Sequence, residues 1–210
     1  MAAYTTIDDP SDYFSTTLYS GSGSSQAITG VGFQPNLTWL KNRSHAYVPV
    51  LFDSIRGVEK QFNTATNAAS TTESSTLTAF GADGFTVNNS NEVNKSGSTY
   101  VAWCWKGGGS ASANSVGSID SSVSANTTSG FGIATYTGSG SADTVGHGIG
   151  IVPQVIFAKR RDSTSHYMVY HHSLGNANEL YLNQTSAMSS AANTWNSTTP
   201  TATVSSVKND

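Results

Sequence analysis

Gly30 to Arg43 reads GVGFQPNLTWLKNR, and Gly148 to Arg161 reads GIGIVPQVIFAKRR. Pro35 and Pro153 stand 118 residues apart, and at this offset two glycines, one aromatic position, one lysine and one arginine recur. Recurrence at a fixed offset is the signature of an internal repeat, in which each copy is one structural unit. The doubled stretch therefore predicts two homologous structural units and does not by itself indicate a catalytic or binding motif.

The register extends beyond this stretch. VLFDSIRG at residues 50–57 aligns with MVYHHSLG at residues 168–175, and LYSGSG at 18–23 aligns with TYTGSG at 135–140 at an offset of 117. The change of offset places one inserted residue in the second copy. Both copies share mainly glycine, proline, aromatic and basic positions, which are residues that turns, cores and snorkelling surface chains require.

Three segments follow from the repeat. We predict a first β-sandwich repeat with an N-terminal extension at 1–106, a linker at 107–129 and a second, incomplete repeat at 130–210. The linker prediction depends on three consecutive glycines and on the Ser, Ala and Asn that follow them, a composition typical of flexible linkers. Within it, Ile119 and Val123 leave open the addition of an edge strand.

The last strand of the first repeat is YVAWCW, at residues 100–105. At the same offset its counterpart would occupy residues 218–223, beyond Asp210, the last residue of the sequence. The second repeat is therefore expected either to leave a sheet edge for another chain or to continue in a longer protein.

Short segments in which apolar and polar residues alternate run through the chain, separated by glycine turns. The sequence has no pattern of a long amphipathic helix. This pattern predicts an all-β fold of β-sandwich or jelly-roll type. A short helix is expected from Asp9 to Phe14, because Asp9 suits the N-cap position and Pro10 the first turn. Ser54–Phe62 is the one stretch that competes as a helix, and Gly57 weakens it. Tyr100–Trp105 is apolar on both faces and should be a central strand.

Composition excludes several classes of partner. Charged residues make up 11% of the chain and the formal net charge is −3, so the chain lacks the basic surface that nucleic acids require. The apolar runs are too short for membrane insertion, and the N-terminus lacks the pattern of a signal peptide. One cysteine, Cys104, cannot form an internal disulfide.

Acidic residues are the first candidates for catalysis. Asp53 and Arg56 form the most site-like pair, yet an ion pair that braces a turn is the favoured interpretation. A glycosidase needs two carboxylates, and the candidates that could supply them are Asp53, Glu59, Glu73, Asp83 and Glu92. Scattered, solvated acids are the favoured interpretation here as well.

Metal, nucleophile and cofactor sites are not predicted. His166, His171, His172 and Asp162 lack zinc-type spacing, and adjacent histidines on a strand point to opposite faces. The serines lack the Gly-x-Ser-x-Gly elbow, and Cys104 lies within an apolar strand, where a buried inert thiol is expected. We therefore expect no catalytic residue, no metal and no cofactor.

The tryptophans are the remaining candidates, because aromatic rings can stack on sugars. Trp39 and Trp103 lie within strand patterns and are predicted to be core residues. Trp195 lies in the polar stretch AANTWNSTTP and is predicted to be a loop residue. It is the single ligand-binding residue that the sequence predicts.

Several sequence segments together resemble a known group of proteins: IDDPSDYF, GFQPNLTWLKNRS, VLFDSIRG, FGADGFTV and SGSTYVAWCWKGGG. The chain resembles a family of repetitive proteins of tailed bacteriophages, particularly marine and cyanobacterial phages, which are described as tail-fibre or other virion structural proteins. The similarity covers nearly the whole chain, and the second repeat departs from it at HHSLG.

The resemblance implies tandem concanavalin-like or jelly-roll β-sandwich units displayed on a virion. It implies a non-enzymatic component of the tail or tail fibre that contributes to attachment to host-surface glycan. Other virion proteins would be its partners, and a homo-oligomer, with a trimer favoured, would be its assembled form. A capsid decoration or spike protein and a glycan depolymerase are the alternatives.

Overall fold

The protein is described by a computed structural model, which covers residues 7–190 and 193–207. Its regular structure is almost entirely β-strand, arranged in several antiparallel sheets, and this confirms the predicted all-β sandwich class. The chain divides into two compact units. The first runs to Thr64 and resumes at Ser70–Gly109, and the second comprises Ala65–Ala69 and the residues from Ser110 onward.

The predicted N-terminal helix is present as a single 3-10 turn at Pro10–Asp12. The carboxylate of Asp9 caps it by accepting the backbone N–H of Ser11 at 2.9 Å. The turn is shorter than predicted, because Phe14 already begins the first strand. Among the described residues, helices that are long and apolar enough to cross a membrane are absent.

The first unit contains β1 (Phe14–Ser20), β2 (Gln26–Thr29), β3 (Leu37–Asn42), β4 (Val50–Asp53), β5 (Lys60–Asn63), β6 (Thr71–Thr72), β7 (Leu77–Gly81), β8 (Gly84–Val87), helix α1 (Asn91–Asn94) and β9 (Thr99–Trp105). A six-stranded sheet has the order β1-β9-β3-β4-β5-β6, and a three-stranded sheet has the order β2-β8-β7. All of these strand pairs are antiparallel. The strand β9 is central, as its two apolar faces predicted.

The core of this unit lies between the two sheets. The large sheet contributes Leu40, Val50, Phe52, Ala102 and Cys104, and the small sheet contributes Ile28, Leu77, Phe85 and Val87. Burial of a Val, Leu, Ile or Phe side chain contributes about 1.5–3 kcal/mol, so this cluster is the main stabilising element of the unit. The unit is therefore a β-sandwich with a single hydrophobic core.

A buried tyrosine ties α1 to the large sheet. Tyr100 lies in β9 with 0% of its surface exposed. Its hydroxyl donates to the carbonyl of Asn91 at 2.9 Å and accepts the backbone N–H of Lys95 at 2.7 Å and the amide of Asn42 at 3.0 Å. Tyr19 stacks on its ring at a centroid distance of 5.0 Å. One phenol thus satisfies three polar groups at the end of the sandwich.

The alternative helix at Ser54–Phe62 is absent. The chain turns after β4, where the N–H of Gly57 donates to the carbonyl of Asp53 at 3.1 Å, and then enters β5. Gly57 has φ of +93°, a left-handed conformation that glycine adopts without strain and that ends a helical path. The glycine that weakened the helix prediction is therefore the residue that forms the turn.

The second unit contains β10 (Ser112–Asn114), β11 (Ser121–Asn126), β12 (Phe131–Tyr136), β13 (Asp143–Gly146), β14 (Val155–Ala158), β15 (Met168–His171), a 3-10 turn (His172–Leu174), β16 (Asn178–Tyr181), β17 (Ser189–Ser190) and β18 (Val204–Val207). Its sheets have the orders β10-β11-β12, β13-β18 and β14-β15-β16-β17.

The repeat is visible in the strands as well as in the sequence. The strands β15, β16 and β17 stand 118 residues after β4, β5 and β6, residue for residue. The order β14-β15-β16-β17 reproduces β3-β4-β5-β6, and the pair β13-β18 reproduces β2-β8. The two copies therefore share a scaffold although most of their residues differ.

Residues 107–129 differ from the predicted linker. They hold β10 and β11, and β11 is the middle strand of its sheet, with Val123 only 5% exposed. A Cβ added to Gly117 would lie 2.6 Å from the carbonyl oxygen of Thr144, so packing against this backbone requires glycine there. Small residues are typical of linkers and of closely packed backbone alike, and composition does not separate the two.

Replacement of Tyr100 by Phe should destabilise the first unit. It removes the acceptor of the Lys95 N–H and leaves the Asn91 carbonyl with only the amide of Asn42 at 3.4 Å, which costs about 1–3 kcal/mol in the free energy of unfolding. Urea denaturation measures this loss. Tyr47→Phe is the control. The Tyr47 hydroxyl makes a long, weak contact of 3.5 Å with the Lys95 ammonium, so its removal should change the free energy of unfolding by about 0.5 kcal/mol or less. Equal stability of Y100F and the parent protein would contradict the assigned role.

Candidate functional site

Two of the candidate acids, Asp83 and Glu92, bind neighbouring groups, whereas Glu59 and Glu73 lie beside each other, joined by a backbone hydrogen bond of 2.8 Å. Asp83 accepts the backbone N–H groups of Gly30 and Gly32 at 2.9 and 2.7 Å, and these bonds hold the pKa of its carboxyl below the usual value. Glu92 accepts the hydroxyl of Ser90 next to α1. These carboxylates therefore bind neighbouring loops, as expected for structural acids.

Asp53 and Arg56 form the predicted ion pair that braces a turn. The guanidinium Nε donates to one carboxylate oxygen of Asp53, and the other oxygen accepts the backbone N–H of Arg56 at 2.8 Å. The side chains of Arg56 and Asp53 are 4% and 6% exposed. The guanidinium also lies 3.9 Å from the ring centroid of Phe62. Every face of the pair contacts protein, so it has no access to a substrate.

The histidines of the second unit do not converge on a metal. His166 contacts the side chains of Asn183 and Gln184, and the ring of His171 accepts the N–H of Ser173 at 3.3 Å. Asp162 pairs with Arg160 at 2.7 Å. Within residues 7–190 and 193–207, clusters of three or more metal-ligating side chains do not occur.

Cys104 lies on the core face of β9 with 0% exposure. Burial raises the pKa of its thiol to about 12, so the thiolate is a negligible fraction at neutral pH. The buried, unreactive thiol predicted from the strand pattern is present.

Trp195 lies in a turn, as predicted, but its side chain is buried and does not form an exposed face for a ligand. Its side chain is 2% exposed, and its ring packs edge-on against Tyr170 at 5.7 Å. At the 118-residue offset it occupies the position of Leu77, a core residue of the first unit that is 0% exposed. The polar neighbours of Trp195 indicated a surface loop, whereas the repeat register indicated the core.

The exposed aromatic surface lies elsewhere, on the outer face of the six-stranded sheet. In the antiparallel register Trp105 of β9 lies between Phe14 of β1 and Leu37 of β3, and Trp103 lies beside Trp39 of β3. Leu18 of β1 lies further along the same side. We call this surface the aromatic face; it consists of Phe14, Leu18, Leu37, Trp39, Trp103 and Trp105.

Ring contacts hold the aromatic face in a defined arrangement. Phe14 and Trp105 pack at a centroid distance of 4.9 Å, and Trp39 and Trp103 pack edge to face at 5.9 Å. The indole N–H of Trp39 donates to the hydroxyl of Thr64 at 3.0 Å. Aromatic pairs of this geometry contribute about 0.5–1.5 kcal/mol beyond the burial of their area. The rings are therefore pre-organised on rigid strands.

Solvent reaches the aromatic face. Phe14 is 39% exposed and Leu18 is 61% exposed, while the three tryptophans are half-buried. Charged groups are sparse around it, and the ammonium of Lys41 on β3 is bound to the carbonyl of Tyr47. A surface of aromatic rings with few charged groups suits neutral ligands with apolar ring faces, such as sugars.

Trp39 and Trp103 were predicted to be core residues, and the structure places them on the outer face instead. The inward positions of β3 are Thr38 and Leu40, both 0% exposed, so a threonine takes the inner side and a tryptophan the outer side. Aromatic residues are the usual mark of a core, but both faces of β9 are apolar. The alternation alone therefore did not identify which face is inside.

Comparison with known proteins places the chain in one family. A family model described as "Domain of unknown function (DUF7483)" matches residues 9–210. Curated proteins and solved structures yield no match.

Removal of one partner of the buried ion pair between Asp53 and Arg56 should lower the free energy of unfolding. Asp53→Asn leaves a buried guanidinium without its counterion and should destabilise the protein by about 3–5 kcal/mol. The second repeat has His171 and Leu174 at the equivalent positions. The double variant D53H/R56L introduces this natural pair, so it should lower the free energy of unfolding by less than the sum of the losses of D53H and R56L. Urea unfolding of the parent protein, D53H, R56L and the double variant D53H/R56L tests the coupling; additive losses would contradict a coupled pair.

Cys104 should resist alkylation in the folded protein. With the pKa of the thiol at about 12, the thiolate fraction at pH 8 is on the order of a thousandfold lower than for a free cysteine. Mass spectrometry after iodoacetamide treatment, with and without urea, compares the folded and unfolded rates. Similar rates in the two states would show that the thiol is accessible.

Proposed function

The chain belongs to the family of the domain of unknown function DUF7483, and we propose that it is a non-enzymatic virion structural protein of a bacteriophage. Its place is the tail or tail fibre, and it contributes to attachment to host-surface glycan. The observation that carries the proposal is the aromatic face, an exposed and ordered surface of aromatic rings on the outer side of the six-stranded sheet.

The distribution of residues between the two repeats supports a structural role. Shared positions are strands, turn glycines and core residues, while the most site-like pair, Asp53 and Arg56, becomes His171 and Leu174 in the second copy. The scaffold repeats two basic positions, Lys41/Lys159 and Arg43/Arg161, but not the Asp53 and Arg56 pair, and this pattern suits a protein that provides shape and surface. The sequence resemblance to tail-fibre-like phage proteins points in the same direction.

Glycan attachment through such a surface is weak for each copy and strong for an assembly. Linked copies bind at a high effective concentration, and avidity exceeds single-site affinity by roughly 10²–10⁴. The charged fraction of 11% suits this mode, because aromatic contact with neutral sugars needs no strong field. We therefore include a homo-oligomer in the proposal, with a trimer favoured, together with other virion proteins as partners.

Electron microscopy of the intact particle tests the location. The proposal expects density for the chain in the tail or its fibres, with the symmetry of the tail. Density on the shell, with shell symmetry, would replace the tail assignment by the alternative of a capsid decoration or spike protein. Absence of the chain from purified particles would overturn the virion assignment altogether.

A glycan array tests attachment, with the chain displayed on a multivalent carrier. The parent protein should bind host-surface glycan, and Trp103→Ala or Phe14→Ala should weaken binding about tenfold each through loss of one aromatic contact. Val116→Ala is the matched control, since Val116 is a 50% exposed apolar residue of the second unit, and it should bind normally.

Thermal unfolding of each variant separates loss of binding from loss of fold. Binding by the parent that all three variants retain would remove the aromatic face from the proposal. No binding by a folded multivalent protein would remove glycan attachment. Release of sugar from the same glycans would favour the depolymerase alternative over a non-enzymatic role.

A further inference from the structure

In the first unit, β9 fills the space between β1 and β3. It pairs with both over their whole length: Trp103 lies opposite Thr16 on one side and opposite Trp39 on the other. By the repeat offsets, β12 is the counterpart of β1 and β14 is the counterpart of β3. The first unit thus shows what the space between these strands holds when it is filled.

In the second unit the corresponding strand is missing from the described residues. There β12 is the edge of one sheet and β14 is the edge of another. The edge strand β14 exposes apolar side chains: Val155 is 44% and Phe157 is 55% exposed. Their counterparts Leu37 and Trp39 are half-buried, because Trp105 and Trp103 of β9 lie against them.

A groove adjoins the place where such a strand would begin. It has a volume of about 470 Å³ and is lined by the end of β12, including Thr137, by Arg161 after β14, and by residues 119–122 at the start of β11. The counterparts of Thr137 and Arg161, which are Ser20 and Arg43, flank the first residue of β9: Ser20 pairs with Thr99, and the N–H of Arg43 donates to the Thr99 carbonyl at 2.7 Å. One side of the groove therefore adjoins the place where the missing strand would start.

The edge of β14 lacks the usual protection against strand addition. Its residues are Val, Ile, Phe and Ala, with neither charge nor proline among them, and basic residues occur only after the strand, from Lys159 onward. Natural proteins protect free edges with charges, prolines or bulges, so an open apolar edge of this kind is a pairing site.

We propose that the β14 edge of the second unit accepts an extended polypeptide strand with the residue pattern of β9. The added strand runs antiparallel to β14 and places an aromatic side chain opposite Phe157, as Trp103 lies opposite Trp39. Its alternate, inward positions take small side chains, as Ala102 and Cys104 do in the first unit, where both are 0% exposed. Main-chain hydrogen bonds provide affinity, and these side chains provide register and specificity.

A peptide tests this directly. The probe is residues 98–106 of this chain with Cys104→Ser, which removes the thiol and keeps the aromatic pattern. It should bind the full chain saturably with one peptide per chain in calorimetry. Hydrogen exchange should show roughly tenfold slower exchange of the β14 amides in its presence. The same peptide with Trp103→Lys should bind at least about tenfold more weakly, because it loses the contact with Phe157.

Matched protein variants locate the binding edge. Phe157→Asp in the protein should reduce peptide affinity at least about tenfold by placing a charge on the β14 edge. Val116→Asp is the control, since Val116 is 50% exposed and lies outside both β14 and the aromatic face, and it should leave affinity unchanged. Thermal unfolding confirms that both variants are folded.

Three results would overturn the proposal. The first is no binding of the peptide to a folded, monomeric chain. The second is protection of β1 or β3 in place of β14, which would mean that the peptide exchanges with β9 of the first unit. The third is self-association of the parent protein that Phe157→Asp abolishes in sedimentation experiments, which would make a second copy of this chain the occupant of the edge.

Discussion

The pairing of β9 with β1 on one side and β3 on the other is the interaction on which the first unit depends. It joins the N-terminal strand to the rest of a sheet that would otherwise end at β3. Its inner face supplies Ala102 and Cys104 to the core, and Tyr100 fastens α1 to the sheet. Its outer face supplies two of the three tryptophans of the aromatic face. Core, helix and proposed binding surface are therefore consequences of one central strand.

The second repeat shows how a scaffold persists while its local contacts change. The loop after β2 is held by Asp83, whereas in the second unit the ring of His147 accepts the N–H of Ile149 at 3.3 Å and contacts the carbonyl of Thr201 at 3.1 Å. Leu77 in one core becomes Trp195 in the other. The backbone hydrogen bonds of a sheet are independent of side-chain identity. The two repeats therefore keep the same strands although the residues of their strands and loops differ.

Much of the fold was predictable from local patterns. Glycine turns, short alternating strands and the repeat offset indicated the all-β class, the central position of β9 and the turn at Asp53 and Arg56. These features depend on residues close in sequence or on comparison of the chain with itself. The position of Trp195 was also available from the register with Leu77, but its polar neighbours in sequence outweighed that signal.

The sequence by itself determined the all-β class, the duplication and the neutral character of the surface, because strand period, turn residues and charge are local properties of the chain. Only the tertiary structure decided which face of each strand is inside, that residues 112–126 build a sheet, and that Trp39, Trp103, Trp105 and Phe14 form one surface. Those outcomes depend on which strands are neighbours, and the antiparallel ladder joins residues as far apart as Phe14 and Trp105. Periodicity along one strand contains no information about the strand that lies beside it.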